Sequence, residues 1–87
     1  MIKSKIMPTS PEVDLEEIKI NAKELIESKE GKNVLFEEEP VAFGLKAVIV
    51  TMALDEDTGD SEGINDALGQ LENVSSSQII DMRRAFG

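Results

Sequence analysis

Residues 45–54 read Leu-Lys-Ala-Val-Ile-Val-Thr-Met-Ala-Leu, a run that is apolar at most positions of both alternating faces. A half-buried strand would alternate apolar with polar, so a run without alternation predicts a strand covered on both sides, in the middle of a sheet. Its Val, Ile and Thr residues are stiff at χ1 and suit the pleated backbone. Just upstream, the stretch from Asn33 carries Val34, Leu35 and Phe36 and then Glu37-Glu38-Glu39-Pro40, and a turn at Phe43-Gly44 separates it from the central strand. Charge and proline at that place predict an edge strand, because both discourage pairing with a further chain.

Working towards the N-terminus, Asp14 with Glu17 three residues on reads as a capping box, and Val13 can staple to Ile18. Leu15, Ile18, Ala22, Leu25 and Ile26 share one face of a 3.6-residue repeat, which predicts a helix over residues 14–30, with Gly31 as a left-handed C-terminal cap. Residues 2–7 alternate, Ile2, Ser4 and Ile6 against Lys3, Lys5 and Met7, as in a half-buried strand that Pro8 closes. Towards the C-terminus, residues 55–62 are a solvated acidic loop. Ile64, Ala67, Leu68 and Leu71 then mark a shorter helix weakened by Gly63 and Gly69. A last strand spans about Ser76 to Ala85, with Ile80 and Met82 on one face and Arg83-Arg84 at its end. The order βαββαβ predicts a ferredoxin-like α+β fold, a four-stranded antiparallel sheet with two helices on one face, as one domain over residues 1–87.

Composition narrows the function. With 18 acidic against 9 basic residues the net charge is −9, so nucleic acid and anionic membranes are repelled by the average field and a basic protein surface is the better partner. No Cys and no His are present, which removes disulfides, thiolate metal sites, cysteine nucleophiles and the commonest general base. No run approaches a membrane span or a signal-peptide core, and the expected compartment is the cytoplasm.

The candidate motifs thin out on inspection. Asp55 and Asp57 have the first-and-third spacing of an EF-hand. However, Gly59 and Asp60 invert the required order, Asp66 stands where Glu is needed, and a strand precedes the loop. No pair of carboxylates is singled out for hydrolysis by its spacing. An RNA-binding version of the fold would need stacking aromatics on Ile2–Met7 and Leu45–Leu54, a copper chaperone paired Cys, and an acylphosphatase an Arg between Pro8 and Val13. None is there. A small-ligand regulatory module of the same fold survives as an alternative.

Glu39-Pro40-Val41-Ala42-Phe43-Gly44-Leu45, the acidic loop after it and Asp81-Met82-Arg83-Arg84 resemble the archaeal elongation factor 1-beta family, as do Met7-Pro8 and the stretch Ser10-Pro11-Glu12-Val13-Asp14-Leu15. The resemblance covers almost the whole chain. It implies a guanine nucleotide exchange factor that promotes replacement of GDP by GTP on elongation factor 1-alpha, with the ferredoxin-like fold. It implies no catalytic side chain, no cofactor and no metal site, and we expect a protein that is monomeric by itself. It also implies that one end of the domain, gathering the turn, the acidic loop and the C-terminus, touches the GTPase. The residues so marked are Phe43, Gly44, Asp55, Glu56, Asp57, Asp60, Arg83, Arg84 and Phe86, with Phe43 expected as an exposed anchor.

Overall fold

The computed structural model describes residues 1–41, 44–54 and 61–82. The elements are β1 (Ile2–Pro8), α1 (Leu15–Ser28), β2 (Lys32–Pro40), β3 (Lys46–Ala53), α2 (Ser61–Gly69) and β4 (Val74–Met82). Every pairing is antiparallel and the strands lie in the order β2-β3-β1-β4, so the run read as central is central and the glutamate-rich strand is an edge. This is the ferredoxin-like α+β fold.

Alternation on β1 buries Ile2, Ser4, Ile6 and Pro8. The first three stand opposite Met52, Val50 and Val48 of β3. These side chains pack with Ile18, Ala22 and Ile26 of α1 and Ile64 and Leu68 of α2 into one core, which places both helices on the same face of the sheet. Full burial of a side chain of this size is worth about 1.5–3 kcal/mol. Within the core, the hydroxyl of the fully buried Ser4 finds no hydrogen-bond partner among the described residues.

Among the described residues the opposite face carries no helix, yet Ala47 and Ile49 of β3 are buried there. Register explains how. Glu39 of β2 stands across from Ala47, and Lys5 of β1 across from Ile49. Their long side chains meet over the strand as an ion pair at 3.9 Å, and the aliphatic stems shield what lies beneath.

Asp14 caps α1 as expected, extended (φ −74°, ψ 108°), but its Oδ1 accepts the N–H of Glu16 at 3.0 Å and not that of Glu17, the partner in the expected capping box. The end of the helix differs from expectation. The left-handed residue is Glu30 (φ 68°), not Gly31; the N–H of Gly31 donates to the Ile26 carbonyl and that of Glu30 to the Glu27 carbonyl, the paired bonds of a Schellman turn. Gly31 is required for room instead, since a Cβ there would run into the buried Ile26 side chain.

Two boundaries also move. Ser61 and Glu62, read as loop, are the first residues of α2. β4 starts earlier, at Val74, and is described to Met82; Ala85, where the strand was expected to finish, lies outside the described residues. Ile80 and Met82 do not follow simple alternation. Ser4 pairs with Ile79 and Lys3 with Asp81, so Ile80 is an extra residue in a bulge, and Met82 stands opposite Ile2. Both are exposed, at 45% and 57%, and it is Val74 and Ile79 that contribute to the core.

Candidate partner-binding surface

The sheet has two ends, and the described strand ends from which the sequence-marked stretches depart divide between them. At one end Pro40 pairs with Lys46, and the connection from Val41 to Leu45 turns the chain. At the other Lys32 pairs with Ala53, and Ile2 pairs with both Met52 and Met82. Gly44 therefore belongs to the first end. The chain departs towards the acidic loop from Leu54, and towards Arg83 from Met82, at the second. Along β3 the ends are roughly 23 Å apart at about 3.3 Å per residue. The expectation of one end gathering turn, loop and C-terminus is thus corrected: antiparallel topology puts consecutive connections at opposite ends, and the β2–β3 and β3–α2 connections are consecutive.

At the hairpin end the N–H of Val41 donates to the Leu45 carbonyl at 2.8 Å. Gly44 has φ +77°, a left-handed value that a side chain resists, although nothing lies within 4 Å of where a Cβ would be. A cleft of about 370 Å³ separates the end of β1 and the segment after it (Pro8, Ser10, Pro11) from the hairpin residues Glu38, Gly44 and Lys46. Near it Lys19 of α1 donates from Nζ to Glu38 Oε2 at 2.8 Å and to Glu16 Oε1 at 3.2 Å. The bond to Glu38 holds the Lys19 ammonium above its ordinary pKa, and the same bond holds the Glu38 carboxyl below its own.

Of the residues marked from the sequence, only Gly44 is described; Phe43, Asp55, Glu56, Asp57, Asp60, Arg83, Arg84 and Phe86 lie outside the described residues. Conversely, the part played by Lys5, Lys19 and Glu38 was not foreseen. The glutamate run read as edge protection, which accounts for its exposure but not for Glu38 facing α1 and Glu39 facing β1 across β3. Lys19 and Glu38 are far apart in sequence, and no local spacing announces such a pair. Among the described residues, no group of three His, Cys, Asp or Glu is placed to hold a metal ion, and no helix is long and apolar enough to cross a membrane.

A layered α+β domain whose connections cluster at two sheet ends offers those ends to other molecules, since loops on a rigid scaffold carry most recognition. Comparison with known proteins says which such domain this is. The model of the EF-1 guanine nucleotide exchange domain matches residues 1–85. The elongation factor 1-beta of Methanococcus maripaludis is 42% identical over 80 residues, 92% of this chain and 90% of the relative. Those of Methanosphaera stadtmanae (40% over 80 residues, 92% of this chain and 89% of the relative) and Methanosarcina acetivorans (39% over 82 residues, 94% and 92%) are similar as well. The chain belongs to the EF-1 guanine nucleotide exchange domain family. Its role is guanine nucleotide exchange in translation elongation, on elongation factor 1-alpha.

Proposed function

We propose that the protein accelerates GDP release by binding the nucleotide-free form of elongation factor 1-alpha more tightly than the nucleotide-bound form, with no catalytic side chain and no cofactor of its own. What supports this reading is the family match, which runs from the first strand past the last. Coupling is reciprocal, so a 1,000-fold weakening of GDP corresponds to about 4 kcal/mol of differential contact, within the reach of a few anchoring residues. The protein acts as one domain and as a monomer in the cytoplasm. Phe43 and Gly44 serve as contacts with the GTPase, as do Asp55, Glu56, Asp57, Asp60, Arg83, Arg84 and Phe86. Acidic groups brought near the nucleotide would compete for its magnesium or repel its phosphates.

The experiment is release of fluorescent GDP from the matching GTPase, with the protein at stoichiometric and catalytic amounts. Wild type should accelerate it, and unchanged release removes the reading. Phe43→Ala should bind the GTPase roughly 30-fold more weakly with an unaltered melt. The combined Asp55→Asn, Glu56→Gln, Asp57→Asn variant should slow release without unfolding, and normal exchange by either variant removes the substituted residues from the contact.

A further inference from the structure

The half of β2 beyond Phe36 has little to hold it. Phe36 is the last of its side chains packed against the core, and Glu37, Glu38, Glu39 and Pro40 are exposed. Being an edge, the strand pairs along its backbone with β3 alone among the described residues. Among the described residues, Glu38 and Glu39 attach to the rest of the fold beyond that ladder through two ion pairs. They point to opposite faces of the sheet, as neighbours on a strand must. Glu38 meets Lys19 from the helix layer at 2.8 Å, and Glu39 meets Lys5, rooted in the central β1, from the open side at 3.9 Å.

We propose that Lys19 and Lys5 are positioning residues: they clamp the outer half of β2 from both faces and so hold the end of β2, and Val41 just after it, in the pose they present to the GTPase. This rests on the reading that the hairpin end is a partner contact. Exposed ion pairs often contribute almost nothing, because two long side chains must be ordered for a screened attraction. Lys19 differs from that case. Only 18% of its side chain is exposed, and Glu16 one helical turn away holds the same ammonium at 3.2 Å, so its rotamer is largely fixed before Glu38 is engaged. The raised Lys19 pKa and lowered Glu38 pKa agree with a bond formed directly between charges. Glu38 lies a few residues before Val41 on an extended chain, so a tilt permitted at Glu38 displaces the hairpin end. A contact surface ordered in advance loses less entropy on binding.

The test uses the full chain with Lys19→Met and Lys5→Met, singly and together, since Met keeps the aliphatic stem and removes the charge. Two quantities are read: hydrogen exchange at the Val41 amide, which closes the hairpin onto Leu45, and the concentration giving half-maximal GDP release. The double variant should exchange Val41 roughly three- to tenfold faster and need a similarly higher concentration, with maximal rate and melting temperature nearly unchanged. Lys19→Met should carry most of the effect, and Lys19→Arg should restore both readings. Unchanged Val41 exchange overturns the clamp. Faster Val41 exchange with unchanged half-saturation overturns its role towards the partner. If wild type itself fails to accelerate release, the functional reading falls and the positioning role with it, while Val41 still reports whether the clamp exists.

Discussion

β2 and β4 are the two edges of the sheet, and each is joined to a helix by a polar contact of a different kind. β2 meets α1 through the charged pair Lys19–Glu38. β4 meets α2 through a neutral, reciprocal one: Ser77 Oγ donates to Asn65 Oδ1 at 2.8 Å, and Asn65 Nδ2 donates to the Ser77 carbonyl at 3.2 Å, both part-buried. Edge protection differs in the same way. β2 carries Glu37, Glu38, Glu39 and Pro40, whereas Val74–Ile80 has no charge at all and relies on register shifts near both ends of β4 to interrupt the flat ladder. A neutral contact is indifferent to salt and pH. A charged one makes the hairpin side of the molecule adjustable by both.

The strongest way to break the comparison is at the glycine by the C-terminal end of each helix, Gly31 after α1 and Gly69 in α2. Gly31→Ala would push a methyl group into the fully buried Ile26 side chain, with the Ile26 carbonyl 3.0 Å away, and should cost about 1–3 kcal/mol in urea unfolding. Gly69→Ala meets only ordinary contacts, 3.7 Å to the Ser77 nitrogen, and should stay within about 0.5 kcal/mol of wild type. Equal losses would mean that both helices dock with the same tolerance.

Next in size is Ser77→Ala. It leaves the Asn65 carbonyl oxygen without its hydroxyl donor in a part-buried place, so stability should fall by about 1–2 kcal/mol, equally at low and high salt. A loss that shrinks on adding salt would contradict the neutral character assigned to this edge.

Ser4 belongs to β1, between the two halves, and calibrates them. Its buried hydroxyl has no hydrogen-bond partner among the described residues, so Ser4→Ala should raise stability by about 0.5–1 kcal/mol in a thermal melt. A loss instead would mean that the hydroxyl fills space the core needs.

The smallest effect is the most specific. Glu38 is held below its ordinary value of 4.5, so its contribution is present above that pH and lost as pH falls through the lowered pKa. Lys19 is held above 10.5, so its contribution is present below that pH and lost as pH rises through the raised pKa. Protection of the Val41 amide, corrected for intrinsic exchange, should therefore be flat between roughly pH 5 and 10 and decline outside that window, while the Asn65–Ser77 contact should not change with it. A decline near neutrality would rule out this pair as the cause.

Element identity and order could be read in advance because each rested on local rules: doubled apolarity at residues 45–54, alternation at residues 2–7, and the Asp14 cap with Ile18, Ala22 and Ile26 on one stripe. Errors came where a neighbour in space overrode the local pattern. The local pattern places the left-handed φ that glycine favours at Gly31, but Glu30 takes it, and Gly31 instead leaves the space that Ile26 fills. Ile80 and Met82 follow each other by two, but a bulge opposite Lys3 and Ser4 breaks the count. The candidate contacts were legible only as a list, since Gly44, Leu54 and Met82 are assigned to ends by the direction of antiparallel strands, which spacing along the chain does not convey.

By itself the sequence determined the layers, the central place of β3 and the edge place of β2, the family and hence the role, because burial period, capping chemistry and a shared motif are written residue by residue. Only the tertiary structure decided that Glu38 and Glu39 are held from opposite faces, that Lys19 and Lys5 hold them, and that the hairpin and the C-terminal strand finish at different ends. Those facts depend on which residues meet after long stretches of chain have folded back, and attraction between charges acts through space with no trace in local order.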